Sequence, residues 1–290
     1  MLTSTQPAIS VEVFPPKTPE GLSQLCGACD GLAALQPEFV SVTCRPGPGA
    51  RDRTYETVKA IRARLDTAIG VVPHITGLGS TRQNIRELLA RYASLSINRF
   101  VVIRGDRAPG SPPGDFPYAG DLVAFIRAEG DTRAHLHVAA HPEVHPEAPS
   151  ARADLAAFQR KVQAGADSAI TQYVYSADAH LYFVEACRRL GVTVPIVPGI
   201  LPITNYERLA RFSEIAGVEI PRWLRKRLED VANEPAPLRA FGLDVVSRLC
   251  GQLLDQGAPG LHFYTLNDLA PTLAICERLE LSVSTPRGER

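Results

Sequence analysis

No stretch of this sequence approaches the roughly 18 to 20 uninterrupted apolar residues of a membrane-spanning helix. The nearest, VPIVPGILPI at 194–203, carries three prolines, so no transmembrane segment is expected. An excess of one charge is missing too. With 31 Lys+Arg against 31 Asp+Glu, there is no basic surplus to neutralise a phosphate backbone, which argues against nucleic acid as the main partner. The opening MLTSTQPAIS has neither a basic segment nor an apolar core, so nothing marks the chain for export and a cytoplasmic location is expected. Six cysteines in such a chain read as free thiols rather than a disulfide framework. Cys26 and Cys29 form a CxxC inside a predicted helix, but no second pair completes a four-ligand zinc site, and helix packing is the expected role. The common phosphate and nucleophile motifs are likewise absent. There is no GxxxxGK[ST] and no GxSxG, and Gly77-Leu78-Gly79 lacks the third glycine of a dinucleotide fingerprint.

What is present is an ordinary globular composition, 290 residues with 45% hydrophobic and 21% charged positions. That length suits two average domains or one β/α barrel. The patterning decides between them. Short β-rich runs recur at 9–14, 38–43, 70–76, 98–104, 135–140, 168–173, 194–200 and 260–265, each apolar enough to be buried on both faces as parallel strands are. Segments of helical periodicity lie between them, such as TYETVKAIRARL, TRQNIRELLARYASL, ADLAAFQRKVQAG, DAHLYFVEACRRLG and NYERLARFSEIAG. Eight strands spaced by about 30 residues predict a single eight-stranded parallel β/α (TIM) barrel over about 9–280, one catalytic domain in 1–290, with an open doubly wound sheet as the alternative. Strands seven and eight are about 60 residues apart. The surplus, at 219–257, predicts two additional helices with a proline-bearing break at Glu234 to Pro237.

A barrel puts its chemistry at the C-terminal ends of the strands. Those positions hold Glu12, Thr43, His74, Arg104-Gly105-Asp106, His141, Glu143, His145, Gln172 and Pro198-Gly199. Alternation in VEVF turns Val11 and Val13 to one side and Glu12 to the other. An isolated carboxylate at that depth is expected to have a raised pKa suited to a general acid; the competing role is an ion pair to a barrel arginine. HPEVHPEA at 141–148 is the densest ionisable cluster. Its prolines exclude the helical HExxH geometry, but a metal-dependent lyase or hydrolase using His141, Glu143 and His145 stays open. Ser150 is positioned to cap a helix on which Asp154 and Lys161 share a face, a cradle for a pyrophosphate or ribose or simply a solvated face.

The strings VEVFPPKT, PEFVSVT with the following RDRT, PHITG, RGD, HPEVHPEA, the run from Ala153 to Gln172 ending in ITQ, PGILPITNY and HFYTLN resemble the bacterial methylenetetrahydrofolate reductase family, in the family's order, from about residue 9 to 278. The resemblance implies non-covalent FAD at the strand C-termini, NADH or NADPH as hydride donor, and ping-pong reduction of 5,10-methylenetetrahydrofolate for methionine synthesis. It also implies a homo-oligomer. By position, Glu12 matches the family's catalytic glutamate, which protonates the folate N10, and Asp106 the aspartate beside the flavin and pterin. His74, Arg104, Gly105, Ala119, His145, Ala148, Asp154, Arg160 and Lys161 match FAD-binding positions, with His141 beside the flavin where the family has Tyr. Gln172 matches a folate-binding glutamine, and Thr43 and Phe212 match residues that hold the nicotinamide cofactor or substrate. Other departures are Cys44 for Tyr, RPGPG for a Gly-Ala-rich loop, Ala157 for Asn, Arg208 for Gln and Asp268 for Arg. Asp268 is expected to repel a folate glutamate tail, with Arg208 supplying the cation instead. A barrel that binds flavin or folate without turnover is the non-catalytic alternative.

Overall fold

The computed structural model describes residues 7–47, 49–106, 114–129 and 134–281. Residues 1–6, read above for export signals, and Pro48 of RPGPG lie outside them. Eight parallel strands close into a barrel in the order β1 to β8: β1 (Ala8–Val13), β2 (Phe39–Val42), β3 (Gly70–Thr76), β4 (Arg99–Ile103), β5 (His135–Ala140), β6 (Ser168–Tyr173), β7 (Ile196–Ile200) and β8 (Gly260–Tyr264). Each element predicted from periodicity is found, with ends shifted by a few residues. The helices are α1 (Pro19–Cys29), α2 (Ala50–Arg62), α3 (Arg82–Ala93), α4 (Ala119–Ala128), α5 (Ala151–Gln163), α6 (Ala177–Arg189), α7 (Tyr206–Ala216), α8 (Arg222–Asp230), α9 (Pro235–Asp255) and α10 (Ala270–Arg278). Helix starts follow the capping chemistry of the sequence. The Ser150 hydroxyl accepts from Ala153 N at the head of α5 and the Asn205 amide from Arg208 N at the head of α7.

Period-2 alternation sorts each strand between two cores. Val11 and Val13 point outward into the large apolar layer between strands and helices. Inside the barrel a small plug of Phe39, Val72, Val101 and Ile170 is surrounded by polar groups that include Ser10, Ser41, His137, Ser168 and His262, all buried. Branched aliphatic residues dominate most barrel interiors; this one is rich in imidazole and hydroxyl. Its lower polar set is self-satisfied, since Ser168 Oγ bonds both His137 Nδ1 (2.6 Å) and His135 Nε2 (3.1 Å). All six cysteines are buried free thiols. Cys26 and Cys29 pack inside α1, where burial pushes the Cys29 thiol up to about 12.

The surplus between β7 and β8 is arranged differently from the expectation. The break falls before Pro235, as read, but α9 rather than α7 is the barrel's own seventh helix, packing on β7, α6 and α10. The excursion over the mouth is α7 with α8. At the end of α7, Ser213 Oγ lies 3.1 Å from Tyr173 Oη, and Glu219 N donates to the Glu143 carboxylate. Gly217 (φ 67°) ends α7 in the left-handed region, and a Cβ there would lie 2.7 Å from Pro146. Periodicity identifies helices but carries no information on which of three successive ones covers a strand.

The seam between β1 and β8 is clasped by side chains. The Asn267 amide accepts from Phe14 N (2.8 Å) and donates to Phe14 O (2.9 Å), while Thr265 Oγ1 donates to Glu12 O (2.7 Å). Asn267 holds φ 65°, a conformation asparagine tolerates better than most residues. Asn267→Ala is expected to leave both Phe14 backbone groups without their partners and to cost about 2 kcal/mol, measured as a lower denaturation midpoint at unchanged m-value.

Candidate active site

Glu12 lies at the top of β1, level with Ser41 on β2 and Tyr264 on β8, and points inward as VEVF alternation predicts. Its Oε2 is 3.2 Å from His74 Nε2 on β3 and 3.7 Å from His262 Nε2 on β8. The partners are therefore histidines and not the arginine considered from sequence. Neither contact is aligned as a full hydrogen bond, and both Nε2 atoms are buried without another partner among the described residues. Here the sequence expectation is corrected. Burial does push the Glu12 carboxyl up, but the charge of His74, with the polar contacts of His262 and His74 and the charge of His262, outweighs burial and brings it down to about 2. Ligand-free, Glu12 is an ionised carboxylate, not a resident acid.

His262 was not singled out from sequence. It is fully buried, its Nδ1 lies 2.8 Å from Ser10 Oγ, and its ring is flanked by Phe39 and Tyr264. The signal was available in GLHFYT, whose alternation sets His262 on the face of Tyr264. Tyr264 in turn spans the mouth to donate to Thr171 O (2.8 Å), passing close over Gly199. Thr43, on the other side of β1, has a buried Oγ1 without a hydrogen-bond partner among the described residues.

A second group of predicted residues comes together on the β4–β5 flank. Arg104 makes a two-pronged ion pair with Glu147 (2.7 and 2.8 Å), Glu147 N donates to His145 Nδ1, and His145 N donates to the Asp154 carboxylate. Glu147 is a second residue missed from sequence; its place in HPEA was the clue. Lys161 Nζ donates to Ala139 O, and burial lowers its pKa to about 8 against the pull of Asp154. Gly120, beside Ala119 in the first turn of α4, packs on Lys161 in the last turn of α5. Gly105 holds φ 82°, a conformation that favours glycine, with a Cβ there set a tight 3.1 Å from Thr76, and Asp106 follows it, exposed. Arg160 is exposed on α5, and Ala148 closes the turn with its N–H on His145 O.

The third group gathers beneath α7. Gln172 and Tyr173 of β6, with His141, Glu143 and Val144, face Ala216, Gly217 and Val218 across a narrow cleft. Phe212 is half-buried under the Arg211 guanidinium, and Arg208 is exposed near the start of α7. HPEVHPEA forms turns, as its prolines require, and Val144 takes φ 73°. The His141 and His145 rings meet edge to face at 4.5 Å, while Glu143 is used by Glu219 N. Burial, then the nearby His145, Lys161 and Arg104, push His141 down to about 3. Among the described residues no three His, Cys, Asp or Glu side chains are grouped to hold a metal ion. Of the departures, Cys44 is buried at the end of β2, Ala157 sits on α5, and the Asp268 carboxylate accepts from Ala270 N.

An inward carboxylate beside two imidazoles, bordered by the cationic β4–β5 flank and a helix laid over the mouth, suits proton transfer beside an anionic or dinucleotide ligand. Comparison with known proteins gives this architecture a family. The 5,10-methylenetetrahydrofolate reductase of Salmonella typhimurium is 38% identical over 271 residues, covering 93% of this chain and 90% of that protein. That of Escherichia coli is 37% identical over the same shares, and that of Buchnera aphidicola from Acyrthosiphon pisum is 33% identical over 94% of this chain and 91% of that protein. Among solved structures, dihydropteroate synthase from Xanthomonas albilineans in complex with 7,8-dihydropteroate aligns with TM-score 0.52 over 98% of this chain and 96% of that one. At 18% identity this likeness shows the fold alone. The family model described as methylenetetrahydrofolate reductase matches residues 1–280, and the chain belongs to that family.

Proposed function

We propose that this protein reduces 5,10-methylenetetrahydrofolate to 5-methyltetrahydrofolate, using NADH or NADPH and non-covalently bound FAD in a ping-pong cycle that feeds methionine synthesis. The observation that carries the reading is the inward Glu12 between His74 and His262 in a member of this family. The β4–β5 flank fits a dinucleotide cofactor. Arg104, Arg160 and Lys161 supply cations and the first turns of α4 and α5 supply backbone N–H groups, while Thr43 Oγ1, buried after β2 with no hydrogen-bond partner among the described residues, is placed to hold the nicotinamide or substrate. When bound, FAD would take a hydride from the nicotinamide and pass it to the folate.

The chain's own residues orient and protonate. A ligand that covers the mouth strips water from the Glu12 carboxylate and favours its protonated form, and Glu12, having taken up a proton, donates it to the folate N10 as the five-membered ring opens. Asp106 and Gln172 hold the pterin, Phe212 on α7 packs on the nicotinamide or substrate, and α7 excludes water from the mouth. Arg208, close to the start of the same helix, supplies positive charge for the folate's acidic tail.

Purified protein is expected to be yellow, with a flavin absorbance that bleaches anaerobically on adding NADH or NADPH and returns on adding methylenetetrahydrofolate. A colourless protein that incorporates no FAD would overturn the cofactor assignment. Bleaching with no return would mark a binding barrel without turnover.

A further inference from the structure

We propose that Ser213 of α7 and Tyr173 of β6 are positioning residues whose hydroxyl contact seats Phe212 over the mouth and so sets how tightly the folate is held. The proposal rests on the reading of Phe212 and Gln172 as residues that hold the ligand, and it adds what holds them. Geometry carries it. Tyr173 Oη and Ser213 Oγ lie 3.1 Å apart, and both side chains are buried. Ser213 is the next residue after Phe212 on α7. Tyr173 follows Gln172 on β6, and its N–H donates to Gln172 Oε1 (3.1 Å). Tyr173 is therefore tied to Gln172 through its backbone and to α7 through its ring.

The make-up of α7 gives that tie its weight. Of the 11 residues of this helix, two are buried, Leu209 and Ser213. They are four apart and share the inward face, so half of the helix's buried anchorage is a hydroxyl and apolar packing holds it weakly. Its two ends are fixed by other means. Ahead of α7, the Tyr175 hydroxyl donates to Leu201 O (3.0 Å). Beyond it, the Glu143 carboxylate accepts from Glu219 N (3.0 Å). Between these points Ser213 bonds α7 to the barrel, and its own carbonyl accepts from Val218 N (2.9 Å) to close the helix. The residue that meets Tyr173 is also the one on which the last turn winds.

Tyr173 is a firm partner. Its ring meets Tyr175 at 5.9 Å and Tyr264 at 6.3 Å, both edge to face. Burial pushes its hydroxyl above the ordinary range against the bond from Ser213, with help from the charge of Glu143, so the phenol keeps its proton at neutral pH. Each hydroxyl can donate or accept. The two are not equally easy to lose. Without Ser213 Oγ the buried phenol has no partner, whereas without Tyr173 Oη the serine can turn to the helix carbonyl four residues back.

The test has two readings. In the ligand-free protein, hydrogen exchange followed by mass spectrometry should be faster over 209–218 in Ser213→Ala and unchanged over α9. In steady-state assays Ser213→Ala should raise the KM for methylenetetrahydrofolate about 5-fold, the worth of one buried hydrogen bond, while kcat and bound FAD stay within about twofold. A general loss of folded enzyme lowers kcat and leaves KM alone. Tyr173→Phe should move both readings the same way by less, and the double variant should be no worse than Ser213→Ala, because neither hydroxyl is then left unpaired. A folate KM that stays at the wild-type value in Ser213→Ala, additive losses in the double variant, or unchanged exchange over α7 would overturn the proposal. Should Ser213→Ala fail to fold, Tyr173→Phe carries both readings. If the wild-type protein transfers no hydride to the folate, the proposed function fails instead, and the exchange reading alone decides the Ser213–Tyr173 tie.

Discussion

Glu12→Gln is expected to slow hydride transfer to methylenetetrahydrofolate by about 10²- to 10⁴-fold, the usual worth of a general acid, while reduction of the flavin by the nicotinamide slows far less. The amide keeps the shape and the polar contacts with His74 and His262 but cannot release a proton. Only the folate half of the cycle needs one. Anaerobic rapid mixing separates the halves, and equal loss in both with FAD still bound would contradict the role given to Glu12. The same substitution has a second signature. A carboxyl lowered to about 2 in the folded protein, against about 4.3 in an unfolded chain, stabilises the fold at every pH above the unfolded value. That contribution fades as pH falls through the folded value. Glu12→Gln should therefore remove part of the acid sensitivity between about pH 4.5 and 2, visible as a shallower fall of the melting temperature in that window.

Gly199→Ala is expected to be the most damaging single-methyl change near the site. A Cβ on Gly199 would lie 2.2 Å from Thr171 O and 2.5 Å from the Tyr264 ring. Thr171 O is also where the Tyr264 hydroxyl donates, and Gly199 N donates to Thr171 Oγ1 (3.0 Å). The methyl would have to part β6 from β7 or push Tyr264 off its bond, and backbone on both sides gives little. A cost above about 4 kcal/mol follows, in the exceptional range for point mutants. Gly27→Ala is the matched control, because it lies within α1 with nothing within 4 Å of its Cβ and should stabilise by about 0.5–1 kcal/mol. Urea midpoints of the two variants should move in opposite directions. Equal, small shifts would mean that the β6–β7 contact is looser than these distances imply.

Much of this molecule could be read from sequence because parallel β/α units repeat one pattern. Continuous apolar runs gave the strands, 3.6-residue spacing gave the helices, and VEVF alternation alone turned Glu12 inward. The sign of its pKa could not be read. Burial is visible in a strand, but His74 and His262 reach Glu12 only through barrel closure, one from two strands away and the other from 250 positions along the chain. Arg104 was legible as a strand-end cation, yet its pairing with Glu147, 43 positions on, depends on how the HPEVHPEA turns fold back. Likewise the helical period of α7 and α9 was clear, and their exchange of roles was not. The difference rests on Gly217 and on a carboxylate from the loop after β5, that of Glu143, capturing Glu219 N.

The β1–β8 clasp also orders events in time. Glu12 and Phe14 are made near the start of this sequence, whereas Thr265 and Asn267, which hold them, each come 253 positions after their respective partners. During synthesis the acidic centre therefore stays unassembled until the eighth strand has emerged and closed the ring, whatever the first seven units have done by then. A nascent chain has no site to misuse, and a chain cut short before Gly260 lacks His262 as well as the strand that closes the ring.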